Sequence, residues 1–149
     1  MKRDSSPKPS ASPSPREKAE VLLRAALSKK ATDPVLLRLA QLTTLTDYFL
    51  IVSARSGRHV KAIADAIMEA AKERGIQRLS VEGIGLTNWA LLDYGDVIVH
   101  IFHKPIREFY DLEGLWADAQ RETFSGDLAE EIRAASEAVE EEEEESRWE

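Results

Sequence analysis

Residues 80–116 read SVEGIGLTNWALLDYGDVIVHIFHKPIREFYDLEGLW, and the fold turns on how they are read. Two apolar runs flank Asp93-Tyr94-Gly95-Asp96, and Gly95 tolerates the positive φ that tight turns demand. The pattern predicts a hairpin between residues 88–93 and 96–102. A two-residue loop at Tyr94-Gly95 and a four-residue loop from Asp93 to Asp96 give the same pairing: Leu92 with Val97, Ala90 with Val99, Trp89 with His100. Side chains alternate along a strand, so one face carries Ala90, Leu92, Val97, Val99, Ile101 and His103. The other carries Trp89, Leu91, Asp93, Asp96, Ile98, His100 and Phe102.

The first face is apolar except at its end, as a core face is. The second sets Asp and His beside a Trp, and two readings stay open. A surface that docks on another molecule has aromatic anchors ringed by polar groups. Alternatively, a helix covers this face and His100 is hydrogen-bonded inside.

Working outward, Lys104-Pro105 ends the last strand and opens a helical turn. Phe109, Leu112, Leu115 and Trp116 recur at helical spacing and read as packing residues. Upstream, residues 79–82 form a short strand, and Gly83 and Gly85 bracket a turn. Ser56 is an N-cap for a helix whose stripe is Val60, Ile63, Ala64, Ile67, Met68 and Ala71, ended by Gly75. Residues 47–52 are a continuous apolar strand of the kind buried on both faces, and residues 35–42 a second strand. Ser14-Pro15-Arg16-Glu17 is a capping box with proline at the first helical position. Ala19, Leu22, Leu23, Ala26 and Leu27 give that helix one apolar stripe; Lys29 and Lys30 close it, and Asp33-Pro34 breaks it.

The order helix–strand–strand–helix–strand–strand–strand–helix predicts an α/β domain over residues 15–120, with a single mixed sheet of about five strands flanked by helices. Residues 1–14 hold three prolines and five serines and are expected to be disordered. A mitochondrial transit peptide is the sharper reading of this segment, but Asp4 and the prolines spoil an amphipathic helix. Residues 121–149 are expected to be an acidic tail, weakly helical or disordered.

The net charge of −7 is unevenly distributed. Residues 127–149 hold 11 acidic and 2 basic residues, so the tail carries −9 and the rest +2. A near-neutral body argues against nucleic-acid binding by bulk charge. With no cysteine there is no disulfide and no thiol nucleophile. No apolar run approaches the roughly 18 residues of a membrane span. A cytoplasmic protein is expected.

The residues form no recognisable catalytic constellation. His100 and His103 are three apart, which on a strand sends them to opposite faces, away from a shared metal. Asp93 and Asp96 could bind magnesium or act as an acid–base pair, yet Asp flanks ordinary turns constantly. The turn at residues 53–61, with Arg55, Arg58 and Lys61, could hold an anion at the helix start, but it lacks the GK[ST] triplet of a Walker loop. Ser53, Ser56, His59 and Asp65 fit no nucleophile-elbow signature. Neither a catalytic residue, a cofactor nor a metal is expected. The competing reading is a nucleotide-binding or nucleotidyltransferase-like enzyme that uses the turn from Ser53 to Lys61.

Four blocks in order, DYFLIVSARSGRHVKAIADAI, VEG, NWALLDYGDVIVHIF and REFYDLEGLW, resemble the ribosomal silencing factor family, also named RsfS, YbeB or Iojap-like. The resemblance spans residues 16–119 and leaves both tails outside the pattern. It implies a fold related to nucleotidyltransferases without their catalytic residues. It also implies a repressor of translation that binds the large ribosomal subunit through its fourteenth protein. Occupying the face that meets the small subunit would block joining when nutrients are scarce. A homodimer of the free protein is also implied; no sequence-specific nucleic-acid contact and no membrane are expected.

On this resemblance the contact falls on the mixed face of the hairpin. Trp89 and Leu91 would be apolar anchors, and Tyr94 would add aromatic area at the turn tip. Asp93 and Asp96 would pair with basic groups, His100 would lie among them, and Arg107 would reach a neighbouring acid.

Overall fold

The computed structural model of the chain describes residues 13–84 and 88–124. The expectations for residues 1–12 and 125–149 lie outside the described residues. The elements are α1 (Pro15–Ser28), β1 (Thr32–Arg38), β2 (Tyr48–Ala54), α2 (Gly57–Glu73), β3 (Ser80–Glu82), β4 (Trp89–Asp93), β5 (Val97–His103), α3 (Lys104–Tyr110), α4 (Leu112–Leu115) and β6 (Gln120–Thr123). One mixed sheet has the order β3-β4-β5-β2-β1-β6. Only β2 and β5 pair in parallel, and every other neighbour is antiparallel.

Both predicted helix starts are built from side-chain caps. Ser14 Oγ accepts the Glu17 N–H while Glu17 returns a bond to the Ser14 N–H, which satisfies donors that the first turn leaves orphaned. Ser56 Oγ does the same for the His59 N–H. Strand β2 is buried at every residue because it is central and has helices on both faces.

The two faces of the sheet bury separate cores. Helices α1 and α2 lie over one face, where Leu22, Ala26, Ile63 and Ile67 meet Leu36, Leu50, Val52, Ala90, Leu92, Val99 and Ile101. The other face gathers Val35, Leu37, Leu39, Phe49, Ile51, Ile98 and Phe102, with Ile106 of α3, Leu112 of α4 and Trp116 packed on top. The sorting of the paired strand residues into an apolar face and a mixed one therefore holds, whereas Asp96 leaves the mixed face for Lys18 of α1.

The pairing itself differs from the expected register. Trp89 lies opposite Phe102, Leu91 opposite His100 and Asp93 opposite Ile98. The turn is Gly95-Asp96, one residue later than expected, and the Tyr94 N–H donates to the Val97 carbonyl at 2.9 Å. Asp93 Oδ1 accepts the Gly95 N–H at 2.8 Å, and Gly95 takes φ +89°, which suits glycine at the first central position. The Asp96 carbonyl is meanwhile committed to the Asp47 and Tyr48 N–H groups at the head of β2, outside the hairpin ladder. Moving the turn centre by one residue shifts the pairing by two, so the faces survive.

Two boundaries also move. Strand β1 begins at Thr32, passes through an irregularity where Asp33 takes φ 50°, and ends at Arg38. Strand β6, paired with β1 from Gln120 to Thr123, carries the sheet past residue 120 and makes it six-stranded.

Candidate docking surface

The mixed face is rooted in a cluster of rings. The Trp89 indole stacks on Phe102 with centroids 4.8 Å apart and tilts against Tyr110 at 4.9 Å. Its Nε1–H donates to His100 Nδ1 at 3.2 Å. Phe49 meets His100 edge-on at 4.5 Å and Trp116 at 6.0 Å. Such edge and offset contacts let each ring present its positive rim to a neighbour's negative face.

His100 is 4% exposed, and burial pushes its pKa down to about 4. The ring is therefore neutral near pH 7, and because Nδ1 accepts, its proton sits on Nε2. Nε2 has no hydrogen-bond partner among the described residues.

Above this root the covering is thin. Helix α3 ends at Asp111, which takes a left-handed φ of 47°, and α4 starts there with Asp111 Oδ1 accepting the Gly114 N–H. A Cβ on Gly114 would come within 2.2 Å of the Asp111 carboxylate, so the cap requires glycine. The break splits what helical spacing had read as one stripe. Leu112 and Trp116 pack inward, while Phe109 is 79% and Leu115 77% exposed. Tyr110, 50% exposed, joins Phe109 edge-on at 5.1 Å. Phe109, Tyr110 and half-buried Trp89 thus form a continuous aromatic surface.

Arg107 fixes this layer to the sheet. Its guanidinium donates to the Asp33 carbonyl at 2.7 Å, to Ser53 Oγ at 2.8 Å and to Glu113 Oε2 at 2.7 Å. Burial works against the Glu113 carboxylate, but hydrogen bonds and charge from Arg107, with help from Arg121, outweigh it and hold its pKa below the usual carboxylate range. A cavity of about 260 Å³ opens beside this group, lined by Asp33, Ser53, Lys104, Arg107, Glu108, Asp111 and Glu113.

The predicted site residues therefore part company. Trp89, Leu91, Asp93 and His100 share the mixed face, with His100 beneath it rather than at its surface. Tyr94 does not stand at the turn tip: it is 3% exposed within the core under α1 and α2, where burial raises its hydroxyl pKa. Asp96 turns toward α1 and is bridged by Lys18 at 2.9 Å. Asp93 is engaged in the turn, and Arg107 reaches an acid of its own chain. Sequence reasoning missed Phe109, Tyr110 and Leu115. The signal was present in Asp111-Leu112-Glu113-Gly114, an N-cap residue with glycine three places on.

The turn at the start of α2 spends its polar groups internally. Ser53 Oγ is taken by Arg107, Ser56 Oγ by the His59 amide, and the His59 ring by the Arg55 N–H and the Lys29 carbonyl. Among the described residues, no three His, Asp or Glu side chains converge as a metal site requires. No helix among them is long and apolar enough to cross a membrane.

Comparison with known proteins places the chain in a family. The family described as "Ribosomal silencing factor during starvation" matches residues 12–149, and so takes in the acidic C-terminal segment that the resemblance had left outside. The ribosomal silencing factor RsfS of Halalkalibacterium halodurans is 38% identical over 111 residues, covering 74% of this chain and 95% of that one. That of Bacillus subtilis is 45% identical over 91 residues, covering 61% and 77%. A crystal structure of a Chromobacterium violaceum protein superposes with a TM-score of 0.69 at 31% identity, covering 78% of this chain and 97% of the other. With a family match over residues 12–149 and a relative 38% identical that is covered over 95% of its length, the chain belongs to the ribosomal silencing factor (RsfS) family.

Proposed function

We propose that this protein binds the large ribosomal subunit through its fourteenth protein and represses translation by blocking access of the small subunit. The observation that carries the reading is the aromatic surface of Trp89, Tyr110 and Phe109, held on a rigid ring cluster and only partly covered by its own chain. Interfaces anchor on such residues, because a stiff ring buries much area at little entropic cost. Family membership supports the ribosome as the partner in this reading. The action is occupancy of a surface, with no reaction and no cofactor, in the cytoplasm. Pairing of two copies through the same exposed rings in the free protein belongs to this proposal.

Of the residues expected to make contact, Trp89 and Leu91 keep that role in the proposal, with Asp93 at the edge. Phe109, Tyr110 and Leu115 join them, while His100 and Arg107 hold the surface in shape. The test is gradient sedimentation of the tagged protein with separated subunits. Co-migration with large subunits, lost in a Phe109→Ala/Tyr110→Ala double variant that still unfolds at the wild-type midpoint, is the expected result. Undiminished co-migration of that folded variant would overturn the assignment of the surface.

A further inference from the structure

Strands β2 and β5 run in parallel, from Tyr48 opposite Val97 to Ala54 opposite His103, and the chain leaves them in opposite directions. After β2 it enters α2, whose Val60, Ile63 and Ile67 pack on one face of the sheet. After β5 it enters α3, whose Ile106 packs on the other. Such a divergence opens a crevice beyond the carboxyl ends of the two strands, and open α/β sheets bind small ligands there. The cavity of about 260 Å³ occupies this position. Ser53 lies one residue from the end of β2, Lys104 and Arg107 at the start of α3, and Asp33 on the neighbouring β1.

The floor of the cavity has donors to spare. Ser53 continues the row of Phe49 and Ile51 that faces α3, but puts a hydroxyl where they put apolar groups. It is 1% exposed, and its Oγ accepts from Arg107 Nη1 at 2.8 Å. Its own proton has no acceptor among the described residues. Arg107 is also buried and has five N–H groups. The two on Nη1 go to the Asp33 carbonyl and Ser53, and Nε and Nη2 give one each to Glu113, which leaves one Nη2–H over. Buried donors are costly unless something accepts from them.

The rim has the opposite character. Glu113 is matched by Arg107, while Asp33, Glu108 and Asp111 stand exposed with Lys104 as their one cation on the cavity wall. Among the described residues, the Asp33 and Glu108 carboxylates are in no hydrogen bond or ion pair. Asp33 and Asp111 also take left-handed φ values of 50° and 47°, two of the three non-glycine residues to do so among those described. Backbone strain of this kind gathers at ligand sites.

A simple amine would leave the floor donors unmatched, and a simple carboxylate would be repelled by the rim. A small molecule that carries both charges satisfies both, and the volume lies below the ~300–1,000 Å³ of sites for drug-sized ligands. We infer that this cavity binds a free α-amino acid, whose carboxylate takes the Ser53 hydroxyl and the last Arg107 N–H while its ammonium meets Asp33 and Glu108. Bound there, the ligand joins β1 and β2 to α3. The inference stands apart from the ribosomal reading, since it concerns a small molecule and is tested without ribosomes.

The test is titration of the full-length, isotope-labelled protein with each standard amino acid in turn. At least one should shift the amide signals of residues 33, 53 and 104–113, with a Kd at or below about 1 mM. It should also raise the unfolding midpoint as its concentration grows, because it binds the folded chain alone. The N-acetyl and methyl-ester derivatives of that amino acid each lack one charge and should bind about tenfold more weakly or worse. Asp33→Asn/Glu108→Gln should weaken binding of the parent by the same order. Asparagine tolerates the left-handed φ at 33, and Arg107 uses only the backbone carbonyl there, so core amide shifts should stay in place. No saturable shift at these residues with any amino acid would overturn the inference. So would shifts centred on residues 55–61, or a derivative that binds as tightly as its parent, which would make the cavity a site for a plain cation or anion.

Discussion

The two faces of one sheet are finished in different ways. On one, α1 and α2 span 14 and 17 residues and close over the strands, so the core beneath them is continuous. On the other, α3 and α4 span 7 and 4 residues, split at Asp111, and leave aromatic side chains half covered. The strands contribute apolar residues to both faces in similar measure. The difference lies in the cover, and a face becomes available to a partner when its own helices are too short to seal it.

The comparison can be broken at its fastening first. Arg107→Ala removes the guanidinium that joins α3 to the Asp33 carbonyl, Ser53 and Glu113, and leaves the Glu113 carboxylate poorly compensated. A loss of about 3–5 kcal/mol is expected in denaturant unfolding, as for other broken buried pairs. A cost near zero would mean that the thin layer is held by ring packing alone. On the sealed face, Leu50→Ala should cost about 2–5 kcal/mol through the cavity it opens. Subunit binding of the remaining folded protein should not change.

Acid sharpens the same contrast. Unfolded, His100 takes up a proton below about 6.5, whereas in the folded chain it does so only near 4. Its contribution is fully present above 6.5 and drains away as pH falls between those values, by roughly 3 kcal/mol at most. His100→Phe should flatten that part of the stability profile; an unaltered slope would show that other groups carry it. Trp89→Ala should weaken docking by about 2 kcal/mol or more, close to thirtyfold in affinity. Because the indole also packs on Phe102 and Tyr110, this variant should lose some stability too. Phe109→Ala isolates the surface: its ring stands almost wholly in solvent, so stability should stay within about 0.5 kcal/mol while binding falls.

How much of the molecule was legible in the sequence depends on how local each decision is. Ser14 and Ser56 declare their helices because the capping groups lie within three residues of what they cap. The two faces of the hairpin were readable because alternation depends only on parity. The register was not, since the Asp96 carbonyl is drawn off by Asp47 and Tyr48, more than forty residues upstream. Tyr94 was misplaced for the same reason: a turn centred one residue later returns that ring to the core. The helical spacing of Phe109, Leu112, Leu115 and Trp116 was real, but Asp111 resets the phase between its members. Strand β6 is exposed at each residue and has no apolar pattern to announce it; only pairing with β1 makes it a strand. The joining of the end of α1 to the start of α2 depends on a His59 contact across thirty residues, which no window along the chain can see.

Strand β6 also has a consequence for the order of synthesis. It is the last of the described elements to be made, and Arg16 at the first turn of α1 waits for Glu122, with Nη2 2.9 Å from Oε1 in the finished fold. Until residues 120–123 emerge, the outer edge of β1 has no strand beside it, although Val35 and Leu37 are ready to template pairing with a stranger. The strand that caps this edge is succeeded at once by the most acidic part of the chain. A nascent molecule therefore closes the edge of its sheet and gains its excess of negative charge within one stretch of translation.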